Sequence, residues 1–378
     1  MKSLRISPVR VISGWKAAVT ISTGIGRKSL SQRPASWQDV RQPSRRISGL
    51  PPHPMSETTD WAFPSHLRPS IDTASFDLAA ALDSMVLLHA EVPEDAFTAT
   101  VLGTERLGNG IVIGSDGLVL TIGYLITEAQ SIWLTTNDNR AIQGYPLAYD
   151  QCTGFGLVMP LGRLDLKPLS RGSASRTPVG ARTIIMGHGG LPHSVNAQLV
   201  AKREFAGYWE YVLDEALFAA PAHPQWGGTA LLDESGQLIG IGSLLVQEEV
   251  DGEVMASNMF VPIDLLEPIL DDMLRFGRPR GPARPWLGLY ATEANGRLVV
   301  GGLAEGGPAQ RAGVRPGDAV LEVAGQRVSS LAQLFRQIWS VGPAGSEIPL
   351  TLVRGAATSQ VRVHSGDRNE FLKKPVHH

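Results

Sequence analysis

One cysteine and nine histidines are the residues of this 378-residue chain best suited to chemistry near neutral pH. Covalent attack on a carbonyl needs a hydroxyl or thiol within hydrogen-bond reach of a base, and a third group to orient that base. Cys152 and His223 are the right types for such a pair, with Thr229, Asp150 and Asp116 as further candidates. Set against this, a lone cysteine is most often a small buried residue, and a loop histidine most often has a satisfied hydrogen bond. His188 and His193 flank Gly189 and Gly190 on a turn. A metal site needs a third ligand, which the surrounding sequence does not offer, so both are expected on the surface. His377 and His378 end the chain and read as tail. A single cysteine excludes an internal disulfide and a Cys-rich zinc site. No metal and no cofactor are expected.

Charge narrows the partners. Residues 1–54 hold ten Lys/Arg against one acid, Asp39, which leaves 24 basic and 35 acidic residues for 55–378. An acidic body is a poor ligand for nucleic acid. Three readings fit the basic, Ser-rich first 54 residues: a targeting peptide, a disordered tail, or translated upstream sequence with Met55 as the start. Lys16 interrupts the apolar run 11–26 and no clean small-residue cleavage site follows, which favours the last two. Localisation stays open: cytoplasmic if translation starts at Met55, exported otherwise. No run of about 18 apolar residues occurs, so no membrane span is expected.

The elements that must position these groups are short. The 41 glycines and 26 prolines suit many turns and strands better than a helical bundle. Residues 1–75 are expected to be disordered or mis-started, and 76–88 has apolar residues at helical spacing. From 97 to 270, apolar runs of four to seven residues alternate with Gly, Asp, Asn and Pro. Strands are expected at 110–113, 118–122, 131–134, 156–159, 182–186, 195–201 and 237–245, the signature of an all-β barrel or sandwich. Helical spacing returns at 262–276, with Asp264 as N-cap and Gly277 as stop. RPRGPAR (278–284) has linker composition and marks a domain boundary. A second unit, 285–366, carries strands at 286–290, 298–300, 319–323, 348–353 and 360–363, and a helix at 330–340 capped by Ser329 or Ser330. Residues 367–378 are expected to be a frayed tail.

RPWLGLY (284–290) and GGPAQRAGVRPGDAVLEVAGQRVSSLAQL (306–334) make the second unit resemble a PDZ domain of the kind attached to HtrA/Deg proteases. Pro316-Gly317-Asp318 is a turn feeding the strand 319–323. The resemblance places Trp286, Leu287, Gly288 and Leu289 where a peptide's terminal carboxylate is capped, and Gly lets backbone N–H groups approach it closely. Apolar neighbours, with Phe335 from the helix, would hold the last peptide side chain while the peptide pairs as an added strand. The plainer reading is that Trp286, Leu289 and Phe335 fill core. The aromatic stretch FAGYWEY (205–211) is either a partner-binding patch or filling for the second barrel.

The first unit resembles the trypsin-like double β-barrel of the same group, through GNGIVIGSDGLVLT (108–121), VGARTIIMGHGG (179–190), WGGTALLDESGQLIGIGS (226–243) and ASNMFVPIDLLEPILDDMLRFGR (256–278). The fold class implied is all-β dominated: a chymotrypsin/trypsin-like double β-barrel followed by a PDZ domain of strands and short helices. The chemistry does not follow the fold. The family's histidine position is Tyr124, its aspartate Gly154 and its serine Trp226. A phenol is a poor base near neutrality, glycine has no side chain, and an indole N–H is a donor only. One backbone donor of the oxyanion hole falls on Pro224, which has no N–H. Losing one such donor typically costs about 10²- to 10³-fold in rate.

The expectation is therefore a pseudoprotease that binds peptide C-termini or unfolded segments as an adaptor or chaperone. Two alternatives stay open: an active endopeptidase with a non-standard site, for which Cys152 and His223 facing the old cleft would be the replacement, and a structural subunit that joins an active homologue. The resemblance also implies trimers.

Overall fold

The structure is a computed structural model that describes residues 61–250, 253–294 and 296–374. The expectations for residues 1–54, Met55 and the two terminal histidines lie outside the described residues.

Alternating apolar side chains close two six-stranded barrels. The first contains β1 (Met85–Glu91), β2 (Glu105–Val112), β3 (Val119–Ile122), β4 (Ser131–Thr135), β5 (Ala141–Tyr149) and β6 (Phe155–Pro160), in the order β1-β2-β3-β6-β5-β4. The second contains β7 (Arg182–Met186), β8 (Ser194–Gly207), β9 (Tyr211–Ala220), β10 (Ala230–Leu232), β11 (Leu238–Val250) and β12 (Glu253–Pro262), in the order β10-β11-β12-β9-β8-β7. Every pairing is antiparallel, and closure removes the edges that would otherwise invite aggregation.

Three expectations change here. The helix read over 76–88 ends early: α1 is Leu78–Asp83, and Met85 opens β1. The apolar positions from 86 onward serve period two, with Val86, Leu88 and Ala90 buried and Leu87 and His89 between them half-exposed. The segment before it is not loose, since Phe63 donates its N–H to Pro192 and packs with Leu67 against the second barrel's core. A short helical turn, α2 (Ala99–Leu102), then precedes β2. Helix α3 (Glu267–Phe276) ends on Gly277 in the left-handed conformation, as expected, but Asp264 does not cap it. Its carboxylate accepts from Ser173 Oγ, the Ala174 N–H and Ser175 Oγ, stapling a distant loop.

The exposed 278–284 stretch leads into the PDZ unit. There β13 (Leu289–Ala294), β14 (Arg297–Leu303), β15 (Ala319–Val323), β17 (Glu347–Arg354) and β18 (Ala357–His364) form one antiparallel sheet, with β16 (Gln326–Arg327) paired to β15. Helices α4 (Pro308–Arg311) and α5 (Leu331–Val341) complete it. Ser330 caps α5 by accepting from the Gln333 N–H. The expected tail is docked as far as Lys373, whose N–H donates to Glu128 at 2.8 Å, and Phe371 packs on Trp286 with centroids 4.6 Å apart. Among the described residues, no helix is long and apolar enough to cross a membrane.

Candidate functional site

The first barrel offers Tyr124 from the tight turn after β3, and the second offers Trp226 from the loop between β9 and β10. The Tyr124 hydroxyl donates to the Ser243 carbonyl at 2.9 Å. It also hydrogen-bonds the Trp226 side chain. An indole N–H only donates, so Tyr124 Oη is the acceptor there. Burial pushes the phenol above its ordinary range, with the indole bond opposing. Tyr124 and Trp226, the positions that the resemblance gives to base and nucleophile, thus meet between the barrels, and neither a phenol nor an indole is a base near neutrality.

The third position is backbone. Gly154 has φ +84°, and a Cβ there would lie 3.3 Å from the Tyr211 hydroxyl. Its carbonyl accepts the Gly123 N–H at 2.7 Å, the residue before Tyr124. An aspartate would be strained in that conformation. Pro224 lies exposed two residues before Trp226 and offers no amide proton.

The loop around Trp226 is held by a residue that sequence reasoning missed. Asn109, buried in β2, donates from Nδ2 to the Gln225 carbonyl at 2.9 Å and the Gly227 carbonyl at 3.1 Å. Its Oδ1 accepts the His188 N–H at 2.8 Å. The signal was in GNG (108–110), where the family motif has Gly-Ser-Gly, and a longer amide stands in place of the hydroxyl. Arg106, also buried, donates to the Tyr124 carbonyl at 2.7 Å and the Thr127 carbonyl at 2.9 Å, fixing the other side of the site.

Cys152 and His223 occupy separate neighbourhoods. Cys152 stands beside Tyr149, Asp150 and Tyr211 at a cavity of about 230 Å³ that the 278–284 linker also lines. Burial, then the nearby Asp150 carboxylate, pushes its thiol up to about 11. His223 is fully buried. Its Nδ1 accepts the Gln225 N–H at 3.1 Å, so Nε2 carries the proton and donates to the His193 carbonyl at 3.1 Å. Burial holds it down at about 4. A histidine with both nitrogens committed cannot activate a thiol. The other candidates are engaged as well. The Thr229 hydroxyl donates to the Trp226 carbonyl, Asp150 accepts from Cys152 and Thr153, and Asp116 accepts the Leu118 N–H. His188 and His193 are half-buried and not on the surface as expected, and burial lowers both. Among the described residues, no group of three metal-ligating side chains forms.

The PDZ loop turns on a glycine. Gly288 has φ +68°, and a Cβ there would meet Ala304 at 2.8 Å, so only glycine fits. The amides of Leu287 and Leu289 converge on a carboxylate, and that carboxylate is Glu210 of the same chain. Leu287 N–H lies 3.1 Å from Oε1 and 3.2 Å from Oε2, and Leu289 N–H lies 3.0 Å from Oε1. The Gly288 amide contributes a further bond. Glu210 is buried, and burial raises its carboxyl to about 7 against the pull of these amides and of Arg368. Of the other loop residues, Trp286 turns its ring between Phe97 and Phe371 and bridges Gly366 through its backbone. Phe335 is fully buried in the PDZ core beside Trp339. These two side chains are core, the plainer of the two readings.

Glu210 belongs to the aromatic stretch 205–211, which forms the end of the β8–β9 hairpin. Gly207 pairs with Tyr211, leaving a three-residue turn. Tyr208 meets Tyr290 of β13 edge-on, with centroids 6.1 Å apart. Nothing in the sequence marked this hairpin, because its turn lacks the Asn-Gly or Asp-Gly pair that announces one.

Comparison with known proteins agrees with this architecture. Residues 108–241 match the trypsin-like peptidase domain family and 285–364 the PDZ domain family. A probable periplasmic serine endoprotease, DegP-like, from Halomonas elongata is 27% identical over 274 residues, covering 69% of this chain and 56% of that protein. A probable periplasmic serine protease, do/HhoA-like, from Haemophilus influenzae is 25% identical over 331 residues, covering 79% of this chain and 69% of that protein. The chain thus spans little more than half the length of the DegP-like relative. Among solved structures, the HtrA-type protease AlgW with tripeptide is similar with a TM-score of 0.48 at 19% identity, covering 82% of this chain and 99% of that one. A trypsin-like peptidase domain followed by a PDZ domain, with DegP-like relatives across both, makes this an HtrA/Deg-like protease chain with a C-terminal PDZ domain.

Proposed function

We propose that this family member has lost peptide hydrolysis and works as a binding protein for polypeptide C-termini or unfolded segments, in an adaptor or chaperone role. The observation that carries the reading is the pair of groups at these positions: a buried phenol, Tyr124, whose hydroxyl donates to the Ser243 carbonyl, and an indole, Trp226. Neither can serve as base or nucleophile, while Gly154 and Pro224 supply neither an orienting carboxylate nor the second oxyanion donor. The candidates for a rebuilt site, Cys152 and His223, have partners that leave the thiol protonated and the imidazole occupied.

Binding is supported by the PDZ loop. Its amides already coordinate a carboxylate, so their spacing suits the end of a polypeptide chain. The periplasmic naming of the relatives supports an exported location, and family membership supports a homo-oligomer, with a trimer as the expected form.

Incubation with unfolded casein and a fluorophosphonate probe tests the loss of activity. The expected result is neither cleavage nor labelling, and labelling that maps to any residue of this chain would return it to the active peptidases. A library of peptide C-termini, each as free acid and as amide, tests the binding. A preference for the free acid that disappears in Gly288→Val supports it, and equal binding of acid and amide counts against it.

A further inference from the structure

We propose that Glu210 is a built-in competitor for the PDZ carboxylate loop, so that a polypeptide C-terminus enters only by displacing the end of the β8–β9 hairpin. This rests on the peptide-binding reading above and adds to it a gate and a preferred ligand.

Four independent features meet at the hairpin. The first is chemical identity: the group on the Leu287 and Leu289 amides is a carboxylate, the same group a chain terminus would bring. Replacing one by the other conserves the amide hydrogen bonds, so exchange need not leave a buried donor unpaired.

The second is apolar. Val212, two residues after Glu210, is buried in one cluster with Leu287, Leu289, Phe335 and Ile338, and Ala206 on the facing strand packs against it. A carboxylate followed closely by a small branched side chain reproduces the two features of an apolar C-terminal residue. The preferred external ligand is therefore a free C-terminus with a small apolar last residue.

The third is backbone. Glu210 has φ +61°, a left-handed conformation that is strained for a non-glycine residue and that glycine or asparagine usually fills in such turns. The hairpin keeps a glutamate where another residue would fold more easily, and the PDZ amides are what that glutamate contacts.

The fourth is a clamp. Arg336 on α5 bonds Glu204 on β8 and Asp214 on β9, holding both strands of the hairpin against the helix that borders the groove. Such exposed pairs are individually weak, which suits a contact that must open. The Pro- and Gly-containing 278–284 stretch gives the PDZ unit somewhere to swing from.

The test uses the full chain, the C-terminal peptide library and two variants. Glu210→Gly removes the competitor and relieves the turn. Arg336→Ala loosens the clamp without touching the loop. If the wild-type groove is open about one tenth of the time, free-acid peptides should bind Glu210→Gly about tenfold more tightly. Arg336→Ala should give a smaller gain, and hydrogen exchange at the Leu287 and Leu289 amides should quicken in both. Equal affinity in wild type and both variants overturns the competition and leaves the peptide-binding reading standing. Fast amide exchange in Glu210→Gly with no free-acid peptide bound sinks the peptide-binding reading itself, and the gate with it.

Discussion

The Tyr124 hydroxyl donates to the Ser243 carbonyl 2.9 Å away and accepts from the Trp226 indole N–H. The chain of bonds runs from the second barrel to the first and back, across the line where a trypsin-like fold would admit a substrate. An ancestral base and nucleophile would face each other across the same gap. Here a phenol and an indole fill that gap, and neither is a base near neutrality.

Restoring the three side chains should not restore hydrolysis. Tyr124→His, Gly154→Asp and Trp226→Ser in combination would leave Pro224, and with it one oxyanion donor missing, at a typical cost of about 10²- to 10³-fold. The new aspartate would also sit at φ +84° beside Tyr211. The triple variant is expected to show no casein cleavage above the parent, whereas adding Pro224→Gly gives the first combination with a complete set of groups. Cleavage by the triple variant alone would show that the loop supplies another donor.

Asn109, buried in β2, should contribute measurably to stability. Asn109→Ala removes bonds to two carbonyls and one amide in a buried setting. Leaving buried polar groups unpaired costs about 1–3 kcal/mol each at most, with partial relaxation expected. A loss of about 2–3 kcal/mol in urea-monitored unfolding is the expected result. A change below about 0.5 kcal/mol would mean that water replaces the amide and that the 225–227 loop is held by its own turns.

Those two sites also show what the sequence could and could not reveal. The Pro316-Gly317-Asp318 turn, the Ser330 cap and the Gly277 stop act within a few residues, and each was legible because its signal and its consequence are neighbours in the chain. Strands β5 and β9 were missed where polar or aromatic residues blurred the alternation, and β10 because its three residues, Ala230–Leu232, are too few to show one. Asp264 was misassigned for a related reason. A carboxylate before an apolar helical run is an ordinary cap signal, and only the folded chain shows it spent on a loop some ninety residues away. Glu210 is the extreme case, since its partners Leu287 and Leu289 are 77 and 79 residues distant. The positions offered for the triad rest on motif spacing alone. The bond between Tyr124 and Trp226 was not legible, because it depends on how the two barrels meet.

Cys152 should behave as an inert thiol. With its pKa pushed up to about 11, its thiolate fraction near neutrality is far below that of a free cysteine, by about two orders of magnitude. Alkylation by iodoacetamide at pH 7.5 should be about 100-fold slower than for a small-molecule thiol and should accelerate on unfolding. Rapid labelling of the native protein would reopen the case for a cysteine nucleophile.

The contact of Glu210 with the PDZ loop should weaken as pH rises. In place, its carboxyl is raised from 4.5 to about 7, mainly by burial, so docking favours the protonated form. The contribution is fully present below the free-carboxyl value and is lost as pH climbs through about 7. The groups facing it are Arg368 from the C-terminal segment, which pulls its pKa down, and Tyr290 from β13, whose own shift is upward and leaves it neutral throughout this window. Arg336 on α5 is held above its ordinary value by its bonds to Glu204 and Asp214, so it does not titrate in this range. Limited proteolysis at the 278–284 linker, normalised to an unfolded control, should therefore be slower at pH 5.5 than at pH 8. Glu210→Gln, which has no proton to exchange, should flatten the difference. A wild-type profile that rises toward acid instead would mean that the amides of Leu287, Gly288 and Leu289 outweigh burial and hold Glu210 as a carboxylate.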